Sequence, residues 1–360
     1  MPGKFVAGFY EPVYFTDIIK DLDHLRIRRN FCVFVTIGRC VIRRYLSRKR
    51  NFSHKAKFTK NPFSFDHSPF TSMKNILCFG EILWDAFGDE KIAGGAPMNV
   101  ARHLVQQHMN VLFASRVGKD ASGDGLVDFL KANGLFSELI QQDEKLPTCE
   151  VTVQLDKDGV ATYIIPEPVS WDNIQTETAL TKAAGQVSAI VYGSLACREE
   201  KTKDTLLNLL QETTALKVFD VNLRAPHYTL STIETLVAGA DVIKMNEDEA
   251  ALLIGGSNSH IKEKIIEFQK KYHPKTICVT RGEHGAIAWH DYEFYEHPGC
   301  PVSVVDTVGA GDAFLAAFVS GLLKNESMQQ LIEKACYVGS FVAGHRGANP
   351  VYDESLLKKF

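Results

Sequence analysis

The sequence of 360 residues lacks any run of about 18 uncharged apolar residues, the length that a membrane-spanning helix requires. Its eight cysteines include no Cys-x-x-Cys pair, and their spacing resembles neither a zinc site nor a disulfide framework. We therefore predict reduced, buried thiols in a cytoplasmic protein that does not contact membranes. The net charge of −3 gives no overall indication of nucleic-acid binding.

Two common phosphate-binding signatures are also absent. The sequence has no Gly-x-x-x-x-Gly-Lys-Ser/Thr string, which excludes a P-loop. The glycine-rich stretch DTVGAGDAF, residues 306–314, has phenylalanine where a Gly-x-Gly-x-x-Gly dinucleotide fingerprint needs its third glycine. It also lies near the end of the chain, whereas that fingerprint follows the first strand. These differences argue against a dinucleotide site.

The charge is divided unevenly along the chain. Residues 1–72 contain 14 Lys and Arg and 5 Asp and Glu, whereas residues 73–360 contain 26 and 38. The first segment shows no sustained periodicity, and a clear strand pattern begins at Met73. We predict that residues 1–72 are an extension outside the fold. A transit peptide, or a basic arm that contacts membrane or nucleic acid, is the alternative.

From Met73 onward, strand-like and helix-like segments alternate. Short apolar runs such as NILCFGEIL and TICVTRG alternate with segments of helical period such as PMNVARHLVQQH and IKEKIIEFQKKY. This alternation predicts an α/β fold, in which helices cover both faces of a mostly parallel sheet. The segment CEVTVQLDKDGVATYIIP differs, because two β-rich runs flank the turn at residues 156–159. It predicts a small β lid over about residues 148–166.

The stretch DTVGAGD has the composition of an anion-binding loop. Glycines at positions 309 and 311 allow successive amides to face one point, and the apolar helix that follows adds unpaired N–H groups. Asp312 stands at the mouth of this loop. It is either a helix N-cap or, beside an anion site, a base that accepts a hydroxyl proton during phosphoryl transfer.

The motifs of the chain, in their order, resemble those of the ribokinase-like (PfkB) carbohydrate kinases. The resemblance covers essentially all of residues 73–360. It rests on GGAPMNVA (94–101), VGKDASGDGL (117–126), KMNEDE (244–249), VTRGEHG (279–285), DTVGAGD (306–312) and HRGANP (345–350). GEILWD, PVSWDNI, YGSLACR and FDVNLR are most similar to bacterial fructokinases. The resemblance implies a ribokinase-like fold and an ATP-dependent sugar kinase acting on D-fructose, with ATP and Mg²⁺ as cofactors.

The resemblance also implies roles for individual residues. Asp312 is the expected catalytic base, and the expected anion hole for the γ-phosphate is Gly309, Ala310 and Gly311. The expected sugar-binding residues are Asp85, Gly94, Gly95, Asn99, Glu150 and Arg224. The expected nucleotide-binding residues are Asn246, Thr280 and Gly282. Asn246 and Glu249 are expected to hold Mg²⁺ through water, and Asp306 and Val308 a monovalent cation such as K⁺.

Some of these residues have structural alternatives. Asn246 and Glu249 also have the spacing of a helix N-cap and its partner, and Arg224 has a structural salt bridge as its alternative. Glu150 contacts the sugar, stabilises the lid, or is a solvated acid on a strand edge. Cys336, near the place of a common family Asn, and the AGHR segment before Gly347 leave the adenine contacts open.

Two further alternatives concern the whole protein. The substrate is alternatively ribose, 2-keto-3-deoxygluconate or a nucleoside, or the protein is a catalytically silent sugar-binding protein on the same fold. Lid strands that expose their edges favour pairing with a partner, so a homodimer through the lid is a further expectation.

Overall fold

The computed structural model describes residues 74–88, 90–155, 161–255, 260–353 and 356. The predicted extension at residues 1–72 and the hairpin turn at residues 156–159 lie outside the described residues. None of the helices in the described ranges is both long enough and apolar enough to span a bilayer.

Strands and helices alternate along most of the described chain. The strands are β1 Asn75–Phe79, β2 Leu83–Phe87, β3 Glu90–Gly94, β4 Asn110–Gly118, β5 Ile140–Asp143, β6 Glu150–Leu155, β7 Ala161–Ile164, β8 Ala189–Gly193, β9 Leu216–Asp220, β10 Val242–Asn246, β11 Thr276–Thr280, β12 Ala286–His290 and β13 Glu293–His297. The helices are α1 Ala96–Gln106, α2 Ala121–Ala132, α3 Thr178–Ala184, α4 Glu200–Glu212, α5 Leu230–Ala238, α6 Glu247–Leu253, α7 Ile261–Tyr272, α8 Ala310–Lys324 and α9 Met328–Ala343.

Nine strands form the larger sheet, in the order β13-β12-β11-β10-β9-β8-β1-β4-β5. Neighbouring strands from β11 to β5 in this order run parallel, and β12 and β13 are antiparallel additions at one edge. Alternate residues of β1 point to opposite faces: Ile76 and Cys78 pack with α1, α8 and α9, whereas Leu77 and Phe79 pack with α4, α5 and α7. The predicted parallel sheet with helices on both faces is confirmed.

The strand order also shows where a ligand site forms. From β1 the chain adds β4 and β5 on one side and then returns to add β8, β9, β10 and β11 on the other. Such a reversal leaves a crevice at the carboxyl ends of the strands, which is where open α/β sheets bind ligands. The loops after β1, β9, β10 and β11 therefore meet at the carboxyl ends of the strands, which we call the carboxyl edge of the sheet.

A second, smaller sheet has the order β3-β2-β6-β7. Its antiparallel pair β6 and β7 is the predicted hairpin, but β2 and β3 belong to it as well, so the sheet extends beyond residues 148–166. The run NILCFGEIL, predicted as one strand, stops at Phe79, and a new strand starts at Leu83. The reason is burial: β1 is almost wholly buried, whereas β2 is half-buried and suits a sheet with one open face.

Arg198 connects the end of the small sheet to the body of the protein. Its Nε and Nη2 donate to the two carboxylate oxygens of Asp172 at 2.8 and 2.7 Å, and Nη2 also donates to the Pro166 carbonyl, just after β7, at 2.7 Å. The guanidinium lies 4.2 Å from the centre of the Trp171 ring, which is fully buried and packs in the core. This buried ion pair fixes the segment from which the small sheet projects.

We expect Arg198→Met to lower the free energy of unfolding by about 3–5 kcal/mol, because it leaves the Asp172 carboxylate buried without its partner. Urea denaturation measures this loss. Glu267→Ala is the control, since it removes an exposed pair with Lys264 on α7 and is expected to cost less than about 1 kcal/mol. Equal losses in the two variants would contradict the role of Arg198.

Candidate active site

Asp312 lies in the first turn of α8, at the carboxyl edge of the larger sheet. Gly309 is the N-cap of this helix, so the interpretation of Asp312 as an N-cap is wrong. Asp312 is instead buried, and its Oδ2 accepts a hydrogen bond from Asn99 Nδ2 at 2.8 Å. Asn349 Nδ2 in turn donates to Asn99 Oδ1 at 2.6 Å. Asp312 is thus held by a chain of two amides from α1 and from the segment after α9.

Several groups determine the proton affinity of Asp312. Burial raises its pKa to about 6, and the neighbouring Asp220 carboxylate raises it as well. The Asn99 hydrogen bond and the positive charges of Lys244 and Arg224 act in the opposite direction. A carboxylate with a pKa near the working pH is well suited to accept a proton from a hydroxyl group.

The loop before Asp312 approaches the C-terminal segment very closely. Gly309 has a φ of 77°, in the left-handed region, and a methyl group on it would lie 2.5 Å from the Ala348 carbonyl oxygen. Only glycine fits this position. The amide of Ala310 donates to the Thr307 carbonyl at 3.2 Å, and the Ala313 amide makes the first i→i−4 bond of the helix, to the Gly309 carbonyl at 2.9 Å. The amides of Gly311 and Asp312 lie before that bond and have no i→i−4 partner in the helix. Of the predicted anion hole, the amide of Gly311 is therefore the best placed to meet an anion.

The sugar-binding candidates on the other side of the crevice lie together. Asp85, on β2, faces the turn that leads into α1, and a methyl group on Gly94 would lie 2.5 Å from Asp85 Oδ2. Gly95 passes so close to the preceding loop that a Cβ would lie 2.5 Å from the Glu81 carbonyl oxygen. Burial raises the pKa of Asp85 to about 6. Because α1 starts directly after this turn, Asn99 and the glycines are fixed as one unit.

Arg224 and Glu150, the two sugar-binding candidates with structural alternatives, have different surroundings. Arg224 is exposed in the loop after β9, and its charge lowers the pKa of the Asp85 carboxyl against the effect of burial. Glu150 accepts hydrogen bonds from Lys91 at 2.6 Å and from the Ser122 hydroxyl. Glu150 therefore connects the small sheet to the start of α2, as expected if it stabilises the lid.

Asn246 and Glu249 form the predicted capping box at the start of α6. Asn246 Oδ1 accepts from the Glu249 amide and Glu249 Oε2 accepts from the Asn246 amide, both at 2.8 Å. The other oxygen, Oε1, accepts from the Leu223 amide at 2.8 Å. These contacts fix a carboxylate and an amide oxygen beside Asp220, whose Oδ2 is buried without a partner among the described residues. Such oxygen groups suit Mg²⁺ held through water molecules.

The remaining candidates lie along the same edge. Thr280 ends β11, and Gly282 follows it with open space around its Cα. Asp306 accepts hydrogen bonds from the amides of Val308 and Gly347, each at 3.0 Å. Asp306 therefore joins the glycine-rich loop to the C-terminal segment whether or not a cation binds there.

Three charged residues of the site were missed in the sequence. Glu81 follows β1, and burial raises its pKa to about 7. Asp220 and Lys244 are buried on β9 and β10, with Lys244 Nζ 3.0 Å from Asp220 Oδ1. A signal was present, since each of these charges interrupts or ends an apolar run in a strand of a parallel sheet, where both faces are buried.

Proteins with similar sequences point to one family. The description "pfkB family carbohydrate kinase" matches residues 68–354. Probable fructokinase-7 of Arabidopsis thaliana is 31% identical over 308 residues, covering 76% of this chain and 88% of that protein.

Solved structures give the same picture of the fold. Fructokinase from Xylella fastidiosa with bound ATP matches with a TM-score of 0.69 at 21% identity, covering 80% of this chain and 99% of that one. A fructokinase double mutant from Vibrio cholerae, in a form with fructose, ADP and potassium ion, matches with a TM-score of 0.69 at 22% identity, covering 80% and 98%. The predicted ribokinase-like fold is therefore confirmed.

The close contact at Gly309 leads to a stability prediction. Gly309 and Gly347 share a φ of 77°, but only at Gly309 would a methyl group meet other atoms. We expect Gly347→Ala to lower the free energy of unfolding by about 1–2 kcal/mol, because of backbone strain alone. Gly309→Ala should lower the free energy of unfolding by about 1–3 kcal/mol more, because its methyl group also collides with Ala348. Urea denaturation of both variants measures the difference, and equal costs would show that the contact is unimportant.

Proposed function

This chain belongs to the pfkB family of carbohydrate kinases, and from that premise we propose that it transfers the γ-phosphate of ATP to a hydroxyl group of D-fructose. The observation that carries the proposal is the position of Asp312, a buried carboxylate in the first turn of a helix whose amides point towards the same crevice. A base beside an anion site is the arrangement that phosphoryl transfer to an alcohol requires.

The reaction is an in-line displacement in which Asp312 accepts the proton of the attacking hydroxyl. Asp85, Asn99 and the Gly94-Gly95 turn hold the sugar, since a carboxylate, an amide and exposed backbone suit neighbouring hydroxyl groups. The Gly311 amide and the positive end of α8 stabilise the charge on the transferring oxygens. The Arg224 charge lowers the pKa of Asp85, which supports a role for Arg224 in contacting the sugar or its phosphate.

Asn246 and Glu249 would hold Mg²⁺ through water, and Thr280 and Gly282 would lie beside the nucleotide. When bound, Mg²⁺ neutralises charge on the phosphate oxygens of ATP. Asp306 and the Val308 carbonyl are the candidates for a monovalent cation site. The potassium ion in the Vibrio cholerae fructokinase structure supports this assignment by analogy.

The small sheet acts as a lid whose open face also accepts a second copy of the chain. Phe87, Ile92 and Tyr163 share the face that carries Asp85, and between 37% and 47% of each residue is exposed. Closing this face over the sugar excludes water from the reaction, and pairing with a partner sheet covers its remaining apolar surface. The reduced state of the buried cysteines suits the cytoplasm as the place of reaction.

The substrate assignment is tested with a panel of acceptors in a coupled assay of ADP release. D-fructose should give the highest kcat/KM among D-fructose, D-ribose, 2-keto-3-deoxygluconate and a nucleoside. The names of the relatives support fructose, at about 30% identity. A higher value for another acceptor overturns the fructose assignment. Sugar binding without ADP release for every acceptor would identify a silent binding protein.

The base is tested with Asp312→Asn, which keeps the shape of the side chain and an oxygen for Asn99 to donate to. We expect kcat to fall on the order of 10²-fold or more, with sugar binding retained in calorimetry. Asp241→Asn is the matched control, because Asp241 precedes β10 and so lies at the amino-terminal ends of the strands, on the opposite side of the sheet from Asp312. Near-normal turnover in Asp312→Asn would remove Asp312 from this role.

The homodimer is tested with Ile92→Glu on the open face of the small sheet. Its charge should prevent burial of that face and shift the protein towards the monomer in light scattering coupled to gel filtration. Leu230→Glu, at an apolar residue on α5 that is also exposed (55%, against 40% for Ile92), is the control and should leave the mass unchanged. If the unmodified protein is already monomeric, no dimer forms through the lid.

A further inference from the structure

Lys244 and Asp220 form a buried ion pair in the centre of the larger sheet. The two residues lie directly opposite each other on β10 and β9, with Nζ 3.0 Å from Oδ1. Their side chains are only 7% and 5% exposed. Replacing such a pair by apolar residues is often neutral or even stabilising. Stability alone therefore does not account for two charges in strands that are otherwise apolar.

The ammonium group of this pair lies directly against the start of α8. A methyl group on Gly311 would lie 3.2 Å from Lys244 Nζ, so the positive charge touches the backbone one residue before Asp312. On the other side, Asp220 Oδ1 holds the ammonium in place. The position of the charge is thus fixed by a strand on one side and by the glycine on the other.

We propose that Lys244 is a positioning residue of the kinase reaction, and that its ammonium, anchored by Asp220, sets the charge balance at Asp312 and at the anion-binding turn of α8. This inference rests on the proposed function. Removing the ammonium leaves Asp312 beside the negative charge of Asp220, with only the exposed Arg224 as a compensating positive charge. It also removes a fixed positive charge from beneath the turn where the transferring phosphoryl group would accumulate negative charge.

Other charged groups also act on Asp312 or on the Lys244–Asp220 pair, and they come from two loops and from α6. Arg224 in the loop after β9 is the second positive charge, but it is exposed and therefore more strongly screened by water and salt. Glu81, after β1, is a buried acid whose pKa is raised in part by Asp312, and Glu249 of α6 acts on Lys244. Lys244 is therefore the positive charge near Asp312 that solvent screens least.

The test compares the pH dependence of kcat/KM in four proteins: the unmodified enzyme, Lys244→Met, Asp220→Asn and the double variant. Activity should rise with pH as Asp312 loses its proton, with a midpoint near pH 6 in the unmodified enzyme. Lys244→Met should raise this midpoint by about one pH unit, because the ionised carboxylate loses an opposite charge. Asp220→Asn should lower it, because a like charge is removed.

The double variant should return the midpoint to near its original value, since the two changes act in opposite directions. Its maximal rate should remain reduced, because the positive charge beneath the anion-binding turn is still absent. ATP titrates in the same range, but its contribution is common to all four proteins, so the differences belong to the enzyme. Loss of packing alone would not produce shifts of opposite sign.

Lys334→Met is the matched control. Lys334 is equally buried and pairs with Glu326 at 3.1 Å, but this pair lies beyond the far end of α8, about 20 Å along the helix from Asp312. Lys334→Met should change stability without moving the midpoint. If Lys244→Met does not fold, the isosteric Asp220→Asn decides the question by the sign of its shift.

The two hypotheses fail in different ways. If the unmodified enzyme releases no ADP with any sugar, the proposed function is wrong. If it is active but the midpoint is unchanged in both single variants, or moves in the same direction in both, the role of Lys244 is overturned and the proposed function stands.

Discussion

The hydrogen bond from Asn99 to Asp312 joins parts of the chain that are 213 residues apart, and the rest of the site is arranged around it. Asn99 lies one turn into α1, directly after the Gly94-Gly95 turn, and Asp312 lies in the first turn of α8. This bond therefore fixes the distance between the Gly94-Gly95 turn and the glycine-rich turn before α8, which are the proposed sugar-binding and phosphate-binding turns. Transfer between two bound molecules depends on such fixed geometry more than on the strength of any single contact.

Burial of Asp312, the proposed base, imposes a condition on its neighbours. Asp312, Asp220, Glu249 and Glu81 converge at one edge of the sheet, where charges interact more strongly than in water. Burial raises the pKa of Asp312, of Glu249 and of Glu81, and a carboxyl group that stays protonated at neutral pH cannot act as a base. A buried base therefore needs positive charges close to it, because they lower its pKa. Lys244 supplies such a charge from within the sheet, where its position does not depend on solvent or on loop conformation.

The fold and the main parts of the site could be predicted from sequence because they depend on local patterns. The alternation of strands and helices, the hairpin signal and the glycine-rich loop each follow from residues close together in the chain. The structure brings Asn99 into contact with Asp312 and places Asp85 against Gly94 in the turn before α1. The features that were not predicted correctly depend on tertiary contacts. The break between β1 and β2, which belong to different sheets, needs burial information, and the pairing of Asp220 with Lys244 needs the register of β9 against β10.

Asn246 and Glu249 show why a structural contact does not exclude a functional role. Each carboxylate oxygen of Glu249 accepts one backbone amide, and an ionised carboxylate oxygen has two lone pairs, so each can accept a further donor such as metal-bound water. The same contacts hold the side chain in one orientation at the edge of the crevice. A group that is already oriented loses less conformational entropy when a ligand binds. The capping box and the proposed magnesium site are therefore compatible, because the capping contacts already orient Asn246 and Glu249.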